Sequence, residues 1–321
     1  MNPKAHYEAA RDLTQDPFHK QLALISVGTV TAANILLLLL QVLLEHMMTD
    51  AVGLAALGKR AAFATVQSVL QFAVTIALPF WTYGFYRIAI EIARKQAPSY
   101  KSLFSGFHRF GPLLRLLIME SLIATGLVLL GSWISTMLYM MTPFAAQVIE
   151  KITPALAEAE KLTDPAAQAA LMEPVMLEMI KDIWPMYLLV VVVVGAILIP
   201  WLYKLRLAPY HIMDGENSAL VAMELSKYEM YGNRFTMFKL DLQWWWYYGL
   251  LILAAVPLYI YSYVGGSDVT MWVTTLLSYG LHFLVQWQLL PRLQTSYALA
   301  YDALKRKDKT DVPQGETPTQ F

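Results

Sequence analysis

The stretch MYLLVVVVVGAILIPWLYKLRLA, residues 186–208, carries no charge until Lys204 and holds five consecutive valines. Crossing a bilayer takes roughly 20 predominantly apolar residues, and this run is long enough. Five further runs have the same character, near 22–45, 63–86, 113–138, 242–264 and 270–292. The chain of 321 residues is 57% hydrophobic and 15% charged, against about 45–50% and about 25% in soluble domains. The apolar excess is concentrated in the six runs. The expected fold class is therefore all-α, a polytopic membrane helix bundle of six transmembrane helices.

Lysine and arginine bias orients such a bundle. With the N-terminus inside, nineteen Lys and Arg fall on the cytoplasmic side and five outside: Lys59, Arg60, Lys151, Lys161 and Lys181. Both termini are thus expected in the cytoplasm. The expected organisation is a cytoplasmic N-terminal tail (1–21), a six-span membrane domain (22–306) and a disordered cytoplasmic tail (307–321). The membrane domain includes cytoplasmic elbows at 87–112 and 209–241 and an outer helical hairpin at 143–182. The polar N-terminus has no apolar core of its own, so the first run is expected to stay as an anchor.

The second elbow leads into LSKYEMYGNRFTMFKLDLQWWWYYG, residues 225–249. The part from Ser218 to Gly232 reads as a short helix at the membrane surface. Asn217 or Ser218 suits its start, and Gly232 suits a left-handed stop. Leu220, Met223 and Tyr231 are expected to face lipid or the bundle, and Glu224, Lys227 and Glu229 to face water. Trp244, Trp245, Trp246, Tyr247 and Tyr248 read as an inner aromatic belt, and Tyr259, Tyr261 and Tyr263 as the outer one.

Three segments resemble one another: LPFWTYGFYRIAI from Leu78, IPWLYKLRLAPYHI from Ile199 and LPRLQTSYALAYDAL from Leu290. Each belongs to an even-numbered run and carries a proline, Pro79, Pro200 or Pro291. Proline removes a helix hydrogen bond and tends to kink the helix. A helical hairpin repeated two or three times, with kinks at these prolines, is expected. In the outer loop, Asp164 and Pro165 read as a helix start. Phe144, Val148 and Ile152 line one face before it, and Leu171, Val175 and Met179 one face after it.

Net charge is zero, so bulk attraction to nucleic acid has no support. Cysteine is absent, which excludes disulfides and thiolate chemistry. No HExxH, phosphate-binding loop or G-x-S-x-G is present, and no catalytic pair stands out. His211, Asp214 and Glu216 lie close together but read more simply as a turn before a helix cap. No metal, cofactor or catalytic residue is expected. Ionisable groups inside a span are costly and mark candidate sites. Glu120, His282 and the neighbouring Gln286 form the candidate intramembrane polar site, with interhelical hydrogen bonding as its simpler reading.

Ser226, Met230, Gly232, Asn233, Arg234, Phe238, Leu240 and Leu242 stand in the order S-x-x-x-M-x-G-N-[KR]-x-x-x-F-x-L-x-L. This resembles the signature of a bacterial six-span membrane protein family, domain of unknown function nine-seven-five. The upstream APYHIMDGENSALVAMELS, the downstream TSYALAYDAL and the LFSGF around Ser105 also fit it. The chain departs from the pattern after Leu242, where Gln-Trp-Trp-Trp-Tyr replaces Ser-Phe-Ile-Gly-Trp. The resemblance implies a multi-pass protein of the bacterial plasma (inner) membrane and implies no reaction.

The expected function is non-enzymatic: binding, scaffolding or regulation at the cytoplasmic membrane face. The candidate elbow is Ser226, Met230, Gly232, Asn233 and Arg234. Gly232 would supply the turn, Asn233 the cap, and Arg234 a contact to lipid phosphate or a partner carboxylate. Membrane lipids are the expected partners, with a protein partner open. The alternative is a small-solute or lipid transporter with a pathway near the proline kinks.

Overall fold

The computed structural model describes residues 2–49, 54–162, 165–215, 217–265 and 267–311. Among them every regular element is an α-helix. In chain order these are α1 (Pro3–Leu13), α2 (Pro17–Thr49), α3 (Leu54–Ala93), α4 (Tyr100–Leu103), α5 (Ser105–His108), α6 (Phe110–Met140) and α7 (Pro143–Ala159). They continue with α8 (Pro165–Asp182), α9 (Trp184–Leu205), α10 (Ala208–Asp214), α11 (Ala219–Met230), α12 (Arg234–Gln243), α13 (Trp245–Val264) and α14 (Asp268–Asp311). Asp164, expected as a cap, lies outside the described residues, as does the tail from 312 on. Helix α14 runs to Asp311, so residues 307–311 are helical where a disordered tail was expected.

Five helical stretches are long and apolar enough to cross a membrane: Pro17–Leu43, Ala61–Ala93, Phe110–Met140, Trp184–Asp214 and Trp245–Ser262. Their outward surfaces are oil. Leu36, Phe72, Leu122, Leu129, Val191, Ile252 and Leu253 are all exposed, far more apolar surface than a soluble chain shows. This is a multi-pass, all-α membrane bundle. The sixth expected crossing, 270–292, lies inside α14 but is not among the five. Thr274, Thr275, Ser278, Tyr279, His282, Gln286 and Gln288 dilute its hydropathy.

The chain divides into two compact units, residues 1–116 with 205–321, and residues 117–204. In the first unit, α14 packs along α13, α2, α3 and α1. Its tightest cluster joins Leu22 and Ala23 of α2, Phe85, Ile88 and Ile92 of α3, and Leu103 of α4. Two glycines permit the closest approach. A Cβ on Gly84 would stand 1.9 Å from the carbonyl oxygen of Leu103, and one on Gly106 would stand 1.9 Å from that of Phe80. The LFSGF segment is thus pressed backbone to backbone against α3, which only glycine allows.

In the second unit, α7 packs on α8. Val148, Ile152, Val175 and Met179 line the seam, and Lys151 Nζ bonds Asp182 Oδ2 at 2.5 Å. Phe144 is exposed. Gly131 of α6 meets Val194 of α9, whose Cγ2 would lie 2.9 Å from an added Cβ. Pro79, Pro200 and Pro291 each stand inside a continuous helix, α3, α9 and α14. Pro257 of α13 does so as well, so an internal proline is not confined to the even-numbered runs.

Candidate functional site

The site is built where the helix ends of the first unit converge. Near its C-terminus α3 presents Arg87 and Glu91, four apart and so on one face, and Arg94 follows directly after its last residue, Ala93. Helix α10 adds His211 and Asp214, α11 adds Ser226 and Glu229, and α14 adds Tyr297, Tyr301, Asp302 and Lys305. The last stretch of α14 is deeply packed, with Thr295, Ser296, Ala298, Ala300 and Tyr301 wholly buried.

Arg94 is the hub. Its Nη1 and Nη2 donate to the two carboxylate oxygens of Asp214, the second at 2.9 Å. Its Nε and Nη2 donate to Asp302 at 3.0 and 2.7 Å. Hydrogen bonds to Asp214 and then Asp302 push the Arg94 pKa further up, so the guanidinium is a permanent charge. Asp214 Oδ2 also accepts from Tyr301 Oη at 3.0 Å and Lys305 Nζ at 2.6 Å. Two cations face two carboxylates, and Asp214 Oδ2 accepts three of the four bonds made to that carboxylate. The Tyr301 hydroxyl is pushed up by burial and then by Asp214, so it remains a donor.

Tyr301 Oη also lies 3.4 Å from His211 Nδ1, and His211 Nε2 lies 2.9 Å from Glu229 Oε2. Both members of that pair are buried, with side chains 3% and 5% exposed. Glu229 was expected to face water; the structure corrects this. The inward stripe of α11 runs through Ala219, Ala222, Met223, Ser226, Glu229 and Met230. A carboxylate on that stripe is tolerated because an imidazole meets it.

Two further ties fix the elbow. Arg87 Nη1 donates to the Met213 carbonyl at 3.1 Å, while Arg87 and Ser102 both donate to Glu91. Arg206 Nη2 donates to Asp241 at 3.3 Å and stacks over the Tyr297 ring at 4.5 Å, and Tyr297 Oη donates to the same carboxylate.

The sequence-expected elbow residues divide by role. Ser226 Oγ, fully buried, accepts from the Leu207 N–H at 3.1 Å, in the break between α9 and α10. Met230 is fully buried. Gly232 has φ +73° and open space around it. Asn233 donates through Nδ2 to the Glu229 carbonyl at 2.8 Å, so it caps the end of α11 and not the start of α12. Arg234 is half-buried and its Nε has no hydrogen-bond partner. Ser218 caps α11 by accepting from the Val221 N–H, while Asn217 donates to the His211 carbonyl.

The aromatic belt also needs correction. Trp244 sits in a break between α12 and α13, buried, its ring tilted by 58° against that of Tyr7 and its Nε1 donating to Ser296 Oγ at 3.2 Å. Tyr247 is buried too, whereas Trp245 and Tyr248 are exposed. Positions three apart, 244 and 247, face the bundle interior, and 245 and 248 face outward.

Of the intramembrane candidates, His282 and Gln286 line one groove in the first unit. Glu120 belongs to the second unit, on α6. Of the His211, Asp214 and Glu216 group, Glu216 lies outside the described residues, Asp214 accepts from Arg94, Tyr301 and Lys305, and His211 lies 2.9 Å from Glu229. Among the described residues no group of three or more His, Asp or Glu is disposed to hold a metal. Sequence reasoning missed Arg94, Tyr301, Asp302 and Lys305. For Tyr301, Asp302 and Lys305 the signal was the grouping of charged and tyrosine positions in TSYALAYDALK, and Arg94 carried none beyond its spacing from Arg87 and Glu91.

No curated protein and no solved structure matches the chain. A family described as "Protein of unknown function (DUF975)" matches residues 28–308, which take in the Arg94 hub, the α11–α12 elbow and all three of the internal prolines first singled out. The chain belongs to that family.

Proposed function

We propose that the protein is a non-enzymatic integral membrane protein that binds, scaffolds or regulates at the cytoplasmic face of a bacterial plasma membrane. It crosses the bilayer six times with both termini inside, and membrane lipids are its standing partners. The observation that carries this reading is the outer surface of α11–α12. Tyr228, Tyr231, Phe235 and Phe238 are exposed there, beside the exposed Lys227 and Lys239. Lys239 Nζ lies 4.8 Å from the Phe235 ring centroid, and the half-buried Arg234 precedes Phe235 in the chain. Aromatic rings and cations in this mixture suit the headgroup layer. The polar groups behind it are bonded to one another, which supports a fixed platform and not a reacting centre.

Arg234→Ala and Lys239→Ala together test the elbow. Full-length protein released from nanodiscs containing phosphatidylglycerol is weighed by native mass spectrometry. Fewer retained anionic lipids than in wild type are expected; equal retention would remove the elbow as a lipid contact.

A second reading, transport of a small solute or lipid, has one observation in its favour: a groove of about 260 Å3 beside His282 and Gln286. Flux of a candidate solute into proteoliposomes is its test.

A further inference from the structure

The groove runs between α2, α13 and α14, inside the stretch of α14 that carries the sixth expected crossing. Tyr279, His282 and Gln286 project into it at spacings of three and four, on one face of α14. Among the described residues these three side chains have no hydrogen-bond partner. Asn34, opposite on α2, spends its Nδ2 on the Val30 carbonyl at 2.9 Å, leaving its side-chain oxygen unused. Ser278 accepts from the Leu258 N–H at 3.3 Å, so its oxygen is engaged by α13.

Unmatched polar groups at membrane depth are costly. Four of them around one opening call for an occupant that supplies the missing donors and acceptors. Apart from Thr31, the remaining wall is apolar, with Val30, Ala255, Leu258 and Phe283, so the occupant has an apolar body as well. Among the described residues no Lys, Arg, Asp or Glu lines the groove. A charged head there would lack the counter-charge that a low-dielectric site requires. At about 260 Å3 the groove is smaller than the roughly 300–1,000 Å3 of sites that enclose a drug-sized ligand, so it admits a small head and a short length of chain, not a whole phospholipid.

We propose that this groove is a binding site for an uncharged single-chain amphiphile with a hydroxyl or amide head, held by Asn34, Tyr279, His282 and Gln286. It rests on the groove that favours the transport reading and names the class of molecule it would take. Occupancy does not require translocation, and the experiment reads occupancy alone.

Full-length protein in phosphatidylglycerol and phosphatidylethanolamine vesicles is exposed to three probes with the same diazirine-bearing chain: a monoacylglycerol, a fatty acid and a phosphatidylglycerol. Cross-linked peptides are mapped by mass spectrometry. The monoacylglycerol is expected to label the 276–289 and 30–34 segments preferentially and to be displaced by unlabelled monoacylglycerol. His282→Leu and Gln286→Leu are each expected to lower that labelling about fivefold, the loss of one hydrogen bond. Asn34→Leu supplies an independent wall if an α14 variant fails to fold, and displacement in wild type decides the matter without any variant. Equal labelling by all three probes means ordinary boundary lipid and overturns the proposal. So does labelling that unlabelled monoacylglycerol does not displace, or a preference for the fatty acid.

Discussion

Asp214 accepts hydrogen bonds from Arg94, Tyr301 and Lys305, and its side chain is only 6% exposed. Removing it leaves two cations facing one remaining carboxylate, Asp302. Both cations keep some water, with Arg94 27% and Lys305 41% exposed, so the loss is that of hydrogen bonds to a charged group, about 1.5–3 kcal/mol. Asp214→Ala is therefore expected to lower the unfolding midpoint in detergent far more than Glu224→Ala, which alters an exposed side chain. Tyr301 adds a pH dependence with a definite sign. Its folded-state pKa is raised by burial and by Asp214, so its contribution is full below the ordinary tyrosine value of about 10 and is lost as pH rises beyond it. Tyr301→Phe is expected to unfold with a shallower alkaline decline than wild type. Neither role is legible from local sequence. Glu229 looked like a solvent-facing acid because its partner, His211, lies eighteen residues away on another helix. Helical periodicity names the stripe a residue occupies; it does not name what waits opposite.

At the scale of elements, close approach decides. Helix α3 meets the LFSGF segment through Gly84 and Gly106, where an added Cβ would strike backbone carbonyls. Backbone cannot rotate away as a side chain can. Gly84→Ala or Gly106→Ala is expected to destabilise by about 1–3 kcal/mol. Gly249→Ala in α13 has nothing within 4 Å of the new atom and is expected to be neutral or slightly stabilising. Thermal unfolding of the three variants side by side measures the contrast. Long apolar helices were plain in the sequence because run length alone identifies them. The breaks at Arg206–Leu207 and Trp244 were not. Each depends on a bond from far along the chain, Ser226 Oγ to the Leu207 N–H and Trp244 Nε1 to Ser296. The left-handed Gly232 and the Ser218 cap were readable because turn and cap chemistry is local.

Across the whole chain, polar and apolar matter are sorted by position. The ion pairs and the most deeply buried side chains of the first unit gather at the ends of α3, α10, α11 and α14, while the spans turn Leu, Val, Ile and Phe outward. That arrangement suits a protein whose spans dissolve in lipid and whose fixed architecture lies at one membrane face. We propose from the lysine and arginine bias that this face is the cytoplasmic one. The natural chain has no cysteine, so single reporters can be placed cleanly. Lys227→Cys on α11 and Lys161→Cys beyond α7 replace exposed side chains, and a membrane-impermeant maleimide reads their accessibility in intact cells. Lys161→Cys is expected to be labelled directly, and Lys227→Cys only after the membrane is opened. Labelling of Lys227→Cys in intact cells would place the elbow on the far side and contradict the account.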